Sequence, residues 1–146
     1  MAKTRAEFIN LERAGAPLET AVARLAAYHF GAGARVLIQA ADAAQAARLD
    51  EALWTFDHTS FVPHGLHGVP DSEAEPVLIT TGGGNPNQAD VLIMAYPREP
   101  AQLADYRLII DFVPADGGPE LPAARERYRS LQGNDQVELA YITDLP

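Results

Sequence analysis

No cysteine occurs anywhere in the 146 residues, which excludes a disulfide framework, thiolate chemistry and any cysteine-based zinc or iron–sulfur site. Positive charge is scarce as well. Against 20 Asp and Glu stand 11 Lys and Arg, giving a formal net charge of −9. A chain of this balance lacks the basic footprint of nucleic-acid-binding domains, so strong direct binding to DNA is not expected. No stretch approaches the roughly 18 consecutive apolar residues of a membrane span, and Met1 to Glu7 holds no apolar core of signal-peptide length. The expectation is a cytoplasmic protein with no membrane partner.

Catalytic and cofactor motifs are missing too. Gly82-Gly83-Gly84 follows an apolar run, but no Lys-Ser/Thr pair opens a helix after it. Asn85-Pro86-Asn87 leads back toward another strand, so the loop lacks the helix N-terminus that a phosphate cradle needs. His58, His64 and His67 lie close in sequence without the i, i+4 helical spacing of a zinc motif. Ser60, Ser72 and Ser130 have no nucleophile elbow around them. Asp111, at the end of its strand, is the one carboxylate placed where a catalytic group would stand. An α/β nucleotide-binding enzyme using Asp111 and the loop histidines is therefore the alternative reading; no cofactor or metal is expected.

What the chain does hold is alternation of strand and helix signals over a length that suits one domain, residues 1–146. Thr4 to Leu11 reads as a strand and Gly15-Ala16-Pro17 as a turn. Leu18, Val22, Leu25 and His29 recur at helical spacing up to Gly31-Ala32-Gly33, where a C-cap belongs. Arg35 to Gln39 is a continuous apolar run of the kind buried on both faces of a parallel sheet. Asp42 with Gln45 three residues on marks a capping-box start. The helix it opens runs to about Trp54, with Ala43, Ala46, Ala47, Leu49 and Leu53 inside and Arg48, Asp50 and Glu51 facing water.

Thr55 to Val69 shows no period and reads as a loop, and Pro70 to Glu75 as an acidic one. Val77–Thr80 and Val91–Met94 are short strands, Arg98 to Asp105 a helical turn or short helix, Tyr106 to Val113 a further strand ended by Pro114, and Gln136 to Ile142 an edge strand. Interleaving of this kind gives an α/β fold: a mostly parallel sheet with helices on both faces, nucleotide-binding-like but without a functional phosphate loop. Binding sites in such sheets lie at the carboxyl ends of strands, here near Val113 and after Ile38.

Two clusters remain as candidate surfaces. Between Leu121 and Leu131 the residues Leu121, Ala124, Tyr128 and Leu131 share one helical face, and Arg125 and Arg129 flank Tyr128 four residues apart. Three of the 11 cations fall between Arg125 and Arg129. A cationic patch on an acidic body attracts a small anionic partner, while charged helix faces are also commonly just solvated, with arginines paired to neighbours such as Glu126. The second cluster is Trp54, Phe56, Phe61 and Pro63, which fits either core packing or an interface anchor, since large aromatics dominate binding hot spots.

Four short motifs occur in register: Arg48-Leu49-Asp50-Glu51-Ala52-Leu53-Trp54, Phe61-Val62-Pro63-His64, Asp111-Phe112-Val113-Pro114 and Ala124-Arg125-Glu126-Arg127-Tyr128. Over roughly the last two-thirds of its length the chain resembles the chi subunits of the bacterial DNA polymerase III holoenzyme. The N-terminal third agrees in its strand–helix–strand pattern. The resemblance implies a noncatalytic accessory subunit of a DNA-directed DNA polymerase complex. It would link the clamp loader to single-stranded DNA-binding protein by gripping that protein's acidic, Phe-terminated C-terminal tail.

By residue match, Val113, Arg125, Tyr128 and Arg129 fall on the tail site. Trp54, Phe61 and Pro63 fall on the surface for the psi subunit or, in some bacteria, an iron–sulfur helicase. One turn before Arg125, Leu121 stands where the best-known members of the family carry a lysine. Arg125 suits a charge-assisted bond to a terminal carboxylate, Tyr128 and Val113 would wall an apolar pocket, and Arg129 would answer the tail's aspartates at longer range. A grip of this type is modest in affinity and sensitive to salt.

Overall fold

Strand and helix alternate because the short β-branched runs are apolar on both faces while the segments between them are apolar on one. The computed structural model describes residues 3–146. Strand β1 (Thr4–Asn10) leads through a single helical turn, α1 (Leu11–Ala14), into helix α2 (Leu18–Gly31). Then come β2 (Val36–Gln39), α3 (Ala43–Thr55), β3 (His64–Leu66), β4 (Val77–Thr80), β5 (Val91–Met94), β6 (Leu108–Val113), α4 (Glu120–Leu131) and β7 (Val137–Ile142), with 3-10 turns at Ser72–Ala74 and Pro100–Asp105. All the strands join one seven-stranded sheet in the order β3-β4-β2-β5-β6-β1-β7, and every pairing is parallel.

The central strands are buried on both sides, as their continuous apolar runs require. Ile38, Ile79, Ile93 and Ile110 point to one face, where α2 and α3 cover them with Val22, Leu25, Leu49 and Leu53. Leu37, Leu78, Leu92 and Ile109 point to the other, which is closed by Leu131 of α4, by Leu103 and Tyr106, and by Ala89 from the β4–β5 connection. That connection contains the glycine run. No helix follows β4, and within the connection the buried Asn87 side-chain amide donates to the carbonyl of Val36 at the start of β2, at 2.9 Å.

Several details depart from the sequence reading. Leu11 to Ala14 forms a helical turn capped by the Asn10 side chain, which accepts from the Arg13 amide. Ala43 and Ala47 of α3 are exposed, and Gln45 takes the inward place, buried with Ala46, Leu49 and Leu53. Its carbonyl accepts from the amide of Ala41 at 2.7 Å, one residue upstream of the cap, while the Asp42 carboxylate accepts from the Gln45 amide at 2.8 Å. The loop expected from Thr55 to Val69 contains a strand, because His64, Gly65 and Leu66 pair with Val77, Leu78 and Ile79 through backbone alone. A three-residue edge strand with glycine at its centre carries no alternation to read. The acidic segment after Pro70 likewise tightens into the 3-10 turn at Ser72–Ala74.

Asp42 is the side chain that ends one orphan N–H at the start of α3. Asp42→Ala is expected to lower stability by about 1 kcal/mol, the usual worth of such a cap, read as a fall in the urea midpoint with an unchanged m-value.

Candidate functional site

The helix α4 is too polar to be held by burial alone, and two packing contacts contribute to its pose. Ala124 is fully buried and lets the helix approach the sheet closely. The Tyr128 ring packs edge-on against Phe8 of β1, with centroids 5.2 Å apart, and against Tyr141 of β7 at 6.4 Å. The turn Asp116-Gly117-Gly118 lies between Pro114, which follows β6, and Pro119, which precedes the helix.

This packing leaves a cavity of about 520 Å³ at the carboxyl ends of β1, β6 and β7. Val113, Leu121, Arg125, Tyr128, Arg129 and Tyr141 are among the residues around it. The four residues singled out in sequence for one site, Val113, Arg125, Tyr128 and Arg129, are thus brought together. The two arginines differ. Arg129 donates to Glu126 at 2.9 Å on the exposed helix surface, a pair worth little in water. Arg125 is exposed and has no carboxylate partner among the described residues.

The third arginine of the stripe does something sequence reasoning missed. Arg127 turns to the sheet and binds Asp111 of β6 bidentately, Nε to Oδ2 at 2.6 Å and Nη2 to Oδ1 at 3.0 Å. Asp111 is 2% exposed, and its Oδ1 also accepts from the amide of Phe112 at 2.7 Å. The carboxylate considered in sequence as a catalytic group is therefore committed on both oxygens to holding α4. No local pattern announces a pair separated by 16 residues; only the topology brings it together.

The histidines are not brought to Asp111. His64 belongs to β3, and three strands separate it from β6. Its side chain is almost fully buried between the carbonyl of Val62 at 2.8 Å and the Asp50 carboxylate at 2.9 Å, so Asp50 turns toward His64 rather than to water. His67 meets the hydroxyl of Thr80 at 2.9 Å, and His58 is exposed. Among the described residues, no three His, Asp or Glu side chains come together as a metal site would require.

Trp54 resolves the choice between core and surface. It is 55% exposed and Phe61 is 68% exposed, with ring centroids 6.1 Å apart. His64 lies beneath Trp54 at 4.9 Å, Val62 is buried and anchors the loop, and Pro63 is half-buried beside it. The result is an aromatic platform at the β3 edge of the sheet, on a rigid footing.

Comparison with known structures defines the fold first. The crystal structure of T4 UvsW superposes with a TM-score of 0.63 at 9% identity, covering 97% of this chain and 41% of that one, which marks the shared α/β architecture. Sequence comparison then gives the family. The model for "DNA polymerase III chi subunit, HolC" matches residues 3–137, so the match extends through the N-terminal third as well. The DNA polymerase III subunit chi of Haemophilus influenzae is 37% identical over 133 residues, 90% of this chain and 92% of the relative. That of Escherichia coli (strain K12) is 36% identical over 116 residues, 79% of this chain and 78% of the relative. The chain belongs to the family of DNA polymerase III chi subunits.

Truncating Arg127 leaves a buried carboxylate without its partner. Arg127→Ala is expected to cost about 3 kcal/mol, the lower end for breaking a buried pair because the guanidinium is partly exposed. The double variant Asp111→Leu with Arg127→Leu should be milder than Arg127→Ala, a cycle read by urea unfolding; equal losses would mean the pair does not act as a unit.

Proposed function

We propose that the chain is a cytoplasmic, noncatalytic accessory subunit in DNA replication that links the clamp loader of DNA polymerase III to single-stranded DNA-binding protein. The observation that carries this reading is the convergence of Val113, Arg125, Tyr128 and Arg129 around one cavity, where the Arg125 guanidinium has no carboxylate partner among the described residues. Such a site suits the acidic, Phe-terminated tail of single-stranded DNA-binding protein: the terminal carboxylate on Arg125 in a charge-assisted bond, the terminal ring between Val113 and Tyr128. The net charge of −9 supports a protein ligand over direct contact with DNA.

Trp54, Phe61 and Pro63 form the second docking surface, for the psi subunit or an iron–sulfur helicase. Two large exposed aromatics in contact are what a hot spot requires. The two surfaces occupy different ends of the sheet, which supports simultaneous occupancy.

A fluorescent peptide ending in Asp-Asp-Ile-Pro-Phe should bind the wild type in the micromolar range, about −8 kcal/mol, and lose at least tenfold (about 1.4 kcal/mol) with Arg125→Ala. Absence of binding by the folded wild type would remove this function. Trp54→Ala should leave the fold and the peptide affinity intact while weakening capture of the second partner in a pull-down; loss of circular dichroism in that variant would mean that Trp54 supports the core.

A further inference from the structure

A second cavity, of about 540 Å³, borders α4 along the stripe Glu120, Ala123 and Arg127. It opens at the carboxyl ends of β2, β5 and β6, where parallel sheets receive ligands. Its walls are apolar, built from Leu11, Leu18, Met94 and Phe112. Tyr96 also lines it and is 52% exposed, an aromatic ring that belongs to neither of the two surfaces proposed above. The charges around this cavity do not balance. Asp111 and Arg127 line it as a pair joined by two hydrogen bonds. Beyond that pair, two carboxylates, Asp42 and Glu120, stand against one guanidinium, Arg48. Both carboxylates are exposed, and neither has a cationic partner among the described residues. The cavity beside Tyr128 has no such excess, since Arg125 and Arg129 are matched there by Glu12 and Asp116.

We propose that this second cavity docks an internal segment of a partner protein in which an arginine or lysine adjoins large apolar side chains. The apolar groups enter between Leu18, Met94 and Phe112, and the cation answers Asp42 and Glu120. A protein occupant follows from the family, whose members are subunits of an assembly. The sign of its charge follows from the surplus carboxylate and from the net charge of −9 on the whole molecule, which favours the approach of a basic segment. Apolar burial supplies the affinity, and the carboxylates supply the choice of sign. An acidic segment meets both the surplus carboxylate and the field of the body at like charge, so it is turned away here. The volume lies within the roughly 300–1,000 Å³ of ligand pockets, enough for a few side chains rather than a whole helix. This site does not depend on the tail reading.

Two tripeptides test this with the full chain, Leu-Phe-Arg and Leu-Phe-Glu, each acetylated and amidated so that neither offers a terminal carboxylate to Arg125. Binding is read by NMR from the Met94 methyl group, one of two methionine signals, because Met94 lines the cavity. The arginine peptide should shift that signal saturably in the millimolar range, at least about fivefold tighter than the glutamate peptide. The double variant Asp42→Asn with Glu120→Gln, in which asparagine keeps the cap of α3, should bring the two peptides within about twofold of each other. Tyr96→Ala, at an exposed position, should weaken the arginine peptide at least about threefold. Equal affinities for the two peptides in the wild type, or a fivefold preference that survives the double variant, overturn the proposal. An unmoved Met94 signal with both peptides overturns the site itself. Added Asp-Asp-Ile-Pro-Phe should leave the arginine peptide in place; its displacement would mean that this cavity accepts an acidic segment, and would overturn the proposal without touching the tail reading.

Discussion

The ion pair between Arg127 and Asp111 is what the display of α4 depends on. The helix buries little: Ala124 and Leu131 are its only buried residues, and burial of such small area cannot fix the rotation of a polar helix on a sheet. A bidentate guanidinium–carboxylate contact can, because two parallel hydrogen bonds define an orientation as well as a distance. With Arg127 turned inward, the 100° step of the helix sends Arg125 and Arg129 to other directions. Tyr128 meets Phe8 at the same time. Buried pairs are weak sources of net stability, and here the geometric role fits better than an energetic one.

The aromatic platform follows a related logic with different parts. Trp54 ends a helix whose inner face is settled by Leu49 and Leu53, and the loop bearing Phe61 is pinned by buried Val62 and by His64 held at both ring nitrogens. Exposed rings are held in place by buried neighbours, so little side-chain and loop freedom remains to be lost on contact with a partner.

Much of this was legible in the amino-acid order. Helices α2, α3 and α4 announce themselves through apolar spacing, and β2, β4, β5 and β6 through short apolar runs. Site residues on α4 could be grouped because residues three and four apart on a helix are neighbours. What stayed hidden is long-range. The strand β3 is three residues stabilised by backbone pairing to β4, and α1 is one turn defined by a side-chain cap. Gln45 displaces Ala43 and Ala47 from the inner face of α3, where it satisfies the amide of Ala41 between β2 and α3. Neither Arg127 nor Asp111 carries a local mark of its partner, and the carboxylates of Glu12 and Asp116 become part of the cavity only when β1 and β6 lie side by side. Trp54 could not be assigned to core or surface from its neighbours in sequence, since both uses favour the same residue types.

The strand order sets a distance. The platform stands at β3 and the cavity at the β6–β1–β7 end, so the two are separated by most of the width of a seven-stranded sheet. At about 4.8 Å per strand, the six spacings from β3 to β7 amount to roughly 29 Å. A parallel sheet with packed helices on both faces is stiff over that span, unlike a flexible linker whose ends wander. Two chains bound at its ends would be held apart at a fixed reach and kept at high effective concentration toward each other's neighbours. With a partner on each surface, the sheet would work as a ruler between them.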